Sequence, residues 1–243
     1  MVASMLTMDQ PNLKYYPIFL NVHGRRCIVV GGGRVAERKV MRLHEGGASV
    51  VVIDRTLTPS LESLKINGLI EHIDGFYESG YLKGAFLVIG ATDDPGTNDR
   101  IFGDARGTGI LVNIVDDPKR SDFILPSLME RGDLVIAVST GGKSPALAKH
   151  LRQDLEGRFG PAYGAMLKLL GLLRDRMSSR SGPSGMNQAV FEALIHSDLL
   201  TEIQGGNRNA IKGLVWEIAG EELTEVNLDS IFCFGDCSGG EAD

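Results

Sequence analysis

Gly31-x-Gly33-x-x-Ala36 is the first arrangement in this 243-residue chain with the types and spacing for chemistry. It sits where an apolar run, "CIVVGGG", passes into a helix-like run, "RVAERKVMRLHEGGA". The first glycine permits a tight turn, the second lets backbone approach a pyrophosphate, and the small third residue lets helix and strand pack closely. A helix beginning there offers unpaired N–H groups and the positive end of its dipole. Asp54 closes the next apolar run about twenty residues on, the place of an acid that holds a ribose hydroxyl. The motif therefore reads as a dinucleotide site built from Gly31, Gly33, Arg34, Val35, Ala36, Asp54, Arg55 and Thr56. Asp54 favours NAD, because a carboxylate repels a 2′-phosphate, while Arg55 beside it pulls the other way. Thr92 and Asp93 close a later strand and join this set; a turn or cap for the following helix is the plainer role for that stretch.

Two further stretches carry polar groups at strand ends. "NIVDDPK" places Asn113, Asp116 and Lys119 after the fifth apolar run, where Asp116 suits a proton acceptor or a partner for a cationic ring. "VSTGGKSPALAKHL" resembles the end of a triphosphate loop, but such a loop needs glycine five places before Gly142, where Ala137 stands. Thr140, Gly141, Lys143 and Ser144 are left as a turn facing a simpler anion, such as a carboxylate, against the plain alternative of a glycine turn before a capped helix. The chain has no Tyr-x-x-x-Lys pair and no His-Glu-x-x-His zinc motif, and no metal site is expected.

The elements that must hold these residues follow from hydrophobic periodicity. Runs at Cys27–Gly33, Ser49–Asp54, 69–73, Ala85–Asp94 and Ile110–Asp117 alternate with helical segments. Continuous apolar strands between helices predict a parallel sheet covered on both faces, an α/β Rossmann-like domain over 1–117. Past Pro118 the pattern changes. "DFILPSLMERGDLVIAVSTGG" reads as a β-hairpin turning at Glu130–Asp133, and Ser144-Pro145 as the cap and first residue of a helix. A small β-hairpin/α dimerisation domain is expected over 118–160. A C-terminal helical region over 161–226 follows, with runs to about Arg180, at 187–200 and at 207–220. A flexible tail is expected over 227–243.

Hydrophobic residues make up 43% and charged residues 23% of the chain, ordinary for a folded soluble protein. The net charge of −6 argues against a general nucleic-acid binder. No apolar run approaches the roughly 20 residues a membrane helix needs, and the N-terminal stretch lacks the pattern of a signal peptide. Three cysteines make no disulfide framework. Cys27 lies in a strand as an inert thiol, and Cys233 and Cys237 lie in the acidic tail, read as a frayed terminus. The expected location is cytoplasmic.

In order, "YPIFLNVHGRRCIVVGGGRVAERKV", "GATDDPGTN", "NIVDDPKRSDFILPS" and "VSTGGKSPALAKHLR" resemble the siroheme synthase N-terminal family, the precorrin-2 dehydrogenases. The resemblance covers roughly Tyr16 to Gly160. It implies an NAD-dependent oxidation of precorrin-2, a tetrapyrrole fringed with carboxylates, to sirohydrochlorin in siroheme biosynthesis. It also implies a homodimer formed through the hairpin region, with the site between cofactor and dimerisation domains. The family's aspartate, assigned to both of its reactions, matches Asp116. Its Ser-Ser-Gly-Gly pattern is matched with Thr140 in place of a serine. Lys119, Arg120, Lys143, Lys149 and Arg152 would receive substrate carboxylates. Some members also insert ferrous iron, so a bifunctional ferrochelatase, with His23 or His150 assisting Asp116, is an alternative. An NAD-sensing regulatory module is a second.

Overall fold

The computed structural model describes residues 14–178 and 184–232; Cys233 and Cys237 lie outside them. The chain divides into two compact units, one up to Leu125 and one from Pro126.

The first unit is the expected parallel sheet. Strands β1 (Arg26–Val30), β2 (Ser49–Ile53), β3 (Glu71–Ile73), β4 (Leu87–Gly90) and β5 (Leu111–Ile114) lie in the order β3-β2-β1-β4-β5, all parallel. Helices α1 (Arg34–Glu45), α2 (Pro59–Ile66) and α3 (Pro95–Ala105) make crossovers between them. The strands read as unbroken apolar runs because both faces are covered. Cys27 and Val29 pack with Ala36, Val40 and Leu43 of α1 in one core, and Ile28 and Val30 pack with Ile101 and Ala105 of α3 in another. Each fully buried Val, Leu or Ile contributes about 1.5–3 kcal/mol.

This unit continues past β5 because the following loop is tied back to the strand. The Asp122 carboxylate accepts from the Val112 N–H at 3.0 Å, and the Asn113 amide donates to the Phe123 carbonyl at 2.8 Å. These bonds hold 122–126 as irregular backbone, so the first hairpin strand starts at Ser127, just after Pro126.

The second unit opens with β6 (Ser127–Arg131) and β7 (Leu134–Val138), antiparallel about a Gly132-Asp133 turn with Gly132 at φ 59°. Helices α4 (Pro145–Arg158), α5 (Ala162–Ser178), α6 (Ser184–His196), α7 (Leu199–Gln204), α8 (Arg208–Ala219) and α9 (Glu225–Phe232) follow. Leu169, Leu173, Leu194, Leu199, Ile211, Val215 and Leu228 form the common core of the last five, α5 to α9. Arg131 ties the hairpin to the end of α4, donating to the carbonyls of Phe159 and Glu156.

Candidate active site

The glycine turn is locked on one side and open on the other. Gly31 has φ 128°, and a Cβ there would stand 2.3 Å from the Ala91 carbonyl oxygen. Gly32 is more confined, since its Cβ would stand 1.8 Å from the Thr56 carbonyl oxygen. Gly33 is different: nothing lies within 4 Å of a Cβ built on it. It is also the N-cap of α1 and supplies no capping side chain, so the first-turn N–H groups of that helix are not satisfied by a cap. Ala36 is fully buried against the strands, as its place in the motif requires. Arg34 is exposed and Val35 half-buried on the same first turn.

Asp54 staples this turn. Its Oδ2 accepts from the Gly32 N–H at 2.8 Å, and its Oδ1 accepts from the Thr56 N–H at 2.9 Å and the Thr56 hydroxyl at 3.3 Å. An ionised carboxylate has about four acceptor positions, so three are used and one remains for a ribose hydroxyl. His72 Nε2 lies 2.9 Å from the Asp54 carbonyl oxygen and fixes the strand end. The Arg55 guanidinium stacks over the Phe76 ring, 5.4 Å from its centroid. An open helix start, an uncrowded Gly33 and a carboxylate with one position left fit a dinucleotide.

Thr92 and Asp93 follow β4 beside Ala91, whose carbonyl crowds Gly31. The Asn98 amide donates to the Thr92 carbonyl at 2.9 Å. Asp93 is exposed, while Asp94 is the cap of α3, accepting from the Gly96 and Thr97 N–H groups. The Thr97 hydroxyl on Asp94 holds that carboxyl below the usual range.

The two acids after β5 have opposite surroundings. Asp117 accepts from the Lys119 and Arg120 N–H groups and from Arg120 Nε at 2.7 Å; Arg120 also pairs with Asp99. The Arg120 guanidinium keeps the Asp117 carboxyl below its ordinary range. Asp116 is exposed and has φ 61°, the left-handed region, alone among the described non-glycine residues. Ser121 closes this turn: its hydroxyl accepts from the Ile114 N–H and lies 2.8 Å from the Asp117 carbonyl oxygen. Asn113 is buried, and its amide holds the Phe123 carbonyl, so it fixes the loop that carries Asp116. Lys119 is exposed on that loop.

Thr140, Gly141, Lys143 and Ser144 share one turn in the second unit. Gly141 and Gly142 have φ 61° and 78°. The Thr140 hydroxyl accepts from the Ser144 N–H at 3.1 Å, and the Ser144 hydroxyl caps the Leu147 N–H. Both hydroxyls are thus spent on shaping the turn, and Lys143 is exposed. His150 pairs with Asp154 on α4 at 3.6 Å. His23 precedes β1, at the amino ends of the parallel strands, whereas Asp116 follows β5, at their carboxyl ends.

Sequence reasoning missed Gly32, Asn98, His72 and Lys39. Gly32 was visible as the middle of three glycines. Lys39 borders the Ala36–Val40 stripe of α1; it is half-buried, and burial, with the charge of Arg38, pushes its ammonium below the ordinary lysine range while the Asp116 charge opposes this.

Residues 18–127 match a family model described as putative NAD(P)-binding, and residues 131–158 match one described as sirohaem biosynthesis protein central. The glycine turn and Asp54 therefore belong to a domain of the NAD(P)-binding kind. A siroheme synthase of Nitrosococcus oceani is 37% identical over 83% of this chain and 43% of its own length. One of Photorhabdus laumondii is 39% identical over 74% of this chain and 38% of its own. The chain spans less than half the length of these curated relatives. A solved structure titled SirC, precorrin-2 dehydrogenase, superposes with a TM-score of 0.73 at 21% identity, covering 85% of this chain and 100% of that one, and shares the fold.

Proposed function

We propose that this chain, which belongs to the siroheme synthase N-terminal family, oxidises precorrin-2 to sirohydrochlorin with NAD⁺ as the acceptor. The observation that carries the reading lies within the first unit. A turn left open at Gly33 and an acid with one acceptor position remaining stand, with an exposed aspartate on a left-handed turn, at the carboxyl ends of the parallel strands.

The nicotinamide, when bound, supplies the two-electron acceptor. The first-turn N–H groups of α1 receive the diphosphate, and Asp54 accepts a ribose hydroxyl and disfavours a 2′-phosphate. Arg55, occupied on Phe76, supports NAD over NADP. Asp116 takes the proton that leaves the macrocycle as the hydride leaves it. The substrate loses one hydride, for which bound NAD⁺ would be the acceptor, and one proton, which passes through Asp116 to water. In the first unit Lys119, on the loop that Asn113 shapes, receives a substrate carboxylate; in the second, the turn of Thr140, Gly141 and Ser144 presents Lys143 as a cation suited to an anion.

The working form in this reading is a cytoplasmic homodimer. Leu147 and Leu151, exposed on α4, support it as an apolar face for a second copy. Among the described residues no helix is long and apolar enough to cross a membrane.

The test is NADH formation when precorrin-2 and NAD⁺ are supplied, for the wild type and for Asp116→Asn. A positioned base is worth about 10²–10⁴-fold. The variant is expected to lose turnover on that scale while binding NAD⁺ as the wild type does. Wild-type turnover in Asp116→Asn would remove Asp116 from the mechanism, and no NADH from the wild type would remove the activity.

A further inference from the structure

We propose that Phe76 is a specificity-determining residue for the cofactor: its ring holds the Arg55 guanidinium away from the 2′ position of the adenosine ribose and so favours NAD over NADP. Phe76 is thus a positioning residue that acts through Arg55. The inference rests on the dinucleotide reading of the glycine turn and is independent of the tetrapyrrole substrate.

The residues after β2 pull both ways. An acid at the end of that strand takes the 2′-hydroxyl of NAD, whereas an arginine nearby takes the 2′-phosphate of NADP. Asp54 and Arg55 stand side by side, so the choice falls to which of them is turned toward the ribose. The structure separates them. The Asp54 carboxylate is turned to the glycine turn, accepting from the Gly32 N–H as well as from Thr56. The Arg55 guanidinium lies over the Phe76 ring, 5.4 Å from its centroid.

Both partners of this contact leave from fixed backbone. β2 and β3 pair through Ile53 and Ile73, and the Asp54 N–H donates to the Ile73 carbonyl at 3.3 Å. His72 Nε2 lies 2.9 Å from the Asp54 carbonyl oxygen. The backbone leading into Arg55 is therefore held to β3 on both sides of Asp54. Phe76 follows β3, and its neighbour Tyr77 is buried. The Tyr77 hydroxyl donates to Asp104 of α3 at 2.9 Å, and Arg100 of the same helix donates to the Tyr77 carbonyl at 3.3 Å. Tyr77 anchors the segment, while the Phe76 side chain stays outside the core, 76% exposed. A phenyl ring so exposed contributes little to the core; it serves as a face for the guanidinium.

The stack fixes the plane and direction of the guanidinium fork, and a phosphate is bound by that fork in its own plane. Turning the fork to a 2′-phosphate gives up the ring. At an exposed site that contact is worth about two- to fivefold in an equilibrium. The Asp54 carboxylate repels the same phosphate and is present with or without the ring, so Phe76 adds to the preference for NAD and its loss weakens that preference without reversing it.

The experiment is an equilibrium titration of the full chain with NAD⁺ and with NADP⁺, which needs no turnover. In Phe76→Ala, NADP⁺ should bind about two- to fivefold more tightly than to the wild type, and the gain should shrink as salt is added, as a new guanidinium–phosphate pair requires. Phe76→Tyr, which keeps the ring, should keep the wild-type ratio of the two affinities. Arg55→Ala combined with Phe76→Ala should lose the gain. Damage to the fold weakens both cofactors, so tighter NADP⁺ binding is a readout that a merely structural role does not produce. Unchanged NADP⁺ affinity in Phe76→Ala would overturn the proposal, as would a gain that persists without Arg55 or a ratio that changes only because NAD⁺ binds more weakly. A wild type that binds neither dinucleotide would overturn it together with the cofactor reading. A wild type that binds NAD⁺ without oxidising precorrin-2 would remove the activity and leave the role of Phe76 to be decided by the titrations.

Discussion

At residue scale, Asp116 has a backbone conformation that costs an L-residue about 1–2 kcal/mol. Its neighbour Asp117 shows how the turn sustains this: two N–H bonds, the Arg120 pair and the Ser121 latch fix the chain on the far side. Identical side chains thus divide the work, one bound into the turn and one left exposed. Glycine at 116 would remove the strain and add about 0.4–1 kcal/mol of freedom to the unfolded chain. The first effect is the larger, so Asp116→Gly is expected to be more stable than the wild type by about 0.5 kcal/mol while losing the oxidation. Denaturant unfolding beside the turnover assay measures both. A glycine variant less stable than the wild type would mean that the aspartate side chain itself helps to hold the turn.

At the scale of elements, adjacent glycines of the β1–α1 turn make opposite predictions. Gly32→Ala drives a Cβ to 1.8 Å from the Thr56 carbonyl oxygen, so the loop after β2 must shift, which costs about 1–3 kcal/mol or more. Gly33→Ala meets nothing within 4 Å and sits at φ −83°, which any residue adopts. Its fold should be retained, and its NAD⁺ affinity should fall at least about tenfold as the methyl takes the room of the diphosphate. Thermal melts and an NAD⁺ titration of the pair separate the effects; full NAD⁺ affinity in Gly33→Ala would place the diphosphate elsewhere. The same turn marks how much was legible in the sequence. The buried strands and the Gly31–Asp54 spacing were legible, because a parallel sheet writes itself as apolar runs and a phosphate turn is local. Gly32 owes its confinement to the Thr56 carbonyl, distant in the chain, which no local pattern reveals. The run 187–200 divides at Ser197, whose hydroxyl lies 2.8 Å from the Leu194 carbonyl oxygen and accepts from the Leu199 N–H, competing with the helix backbone. Helix α9 stands where a tail was expected from 227. Its acidic residues concealed the helix but bind basic ones, Glu225 pairing with Arg208 and Lys212, and Asp229 with Arg208, while Leu228 and Ile231 are buried.

At the scale of the molecule, the chain is two units with separate apolar cores. The sheet cores draw their buried residues from Cys27 to Ile114, the helical core from Ala162 to Ile231. The glycine turn, Asp54, Thr92 and Asp93 all belong to the first. A ligand that binds a folded unit stabilises it by mass action, by about 2.7 kcal/mol at a hundredfold excess over Kd. A unit that makes no contact with the ligand gains nothing directly. Calorimetry of the full chain should therefore resolve two transitions, with NAD⁺ raising the Tm of one and leaving the other in place. Gly33→Ala should abolish most of that rise without lowering either transition in the absence of NAD⁺, which assigns the responsive transition to the sheet unit. A single transition raised as a whole would mean that the units unfold as one cooperative body. A rise that persists in Gly33→Ala would move the cofactor away from the glycine turn.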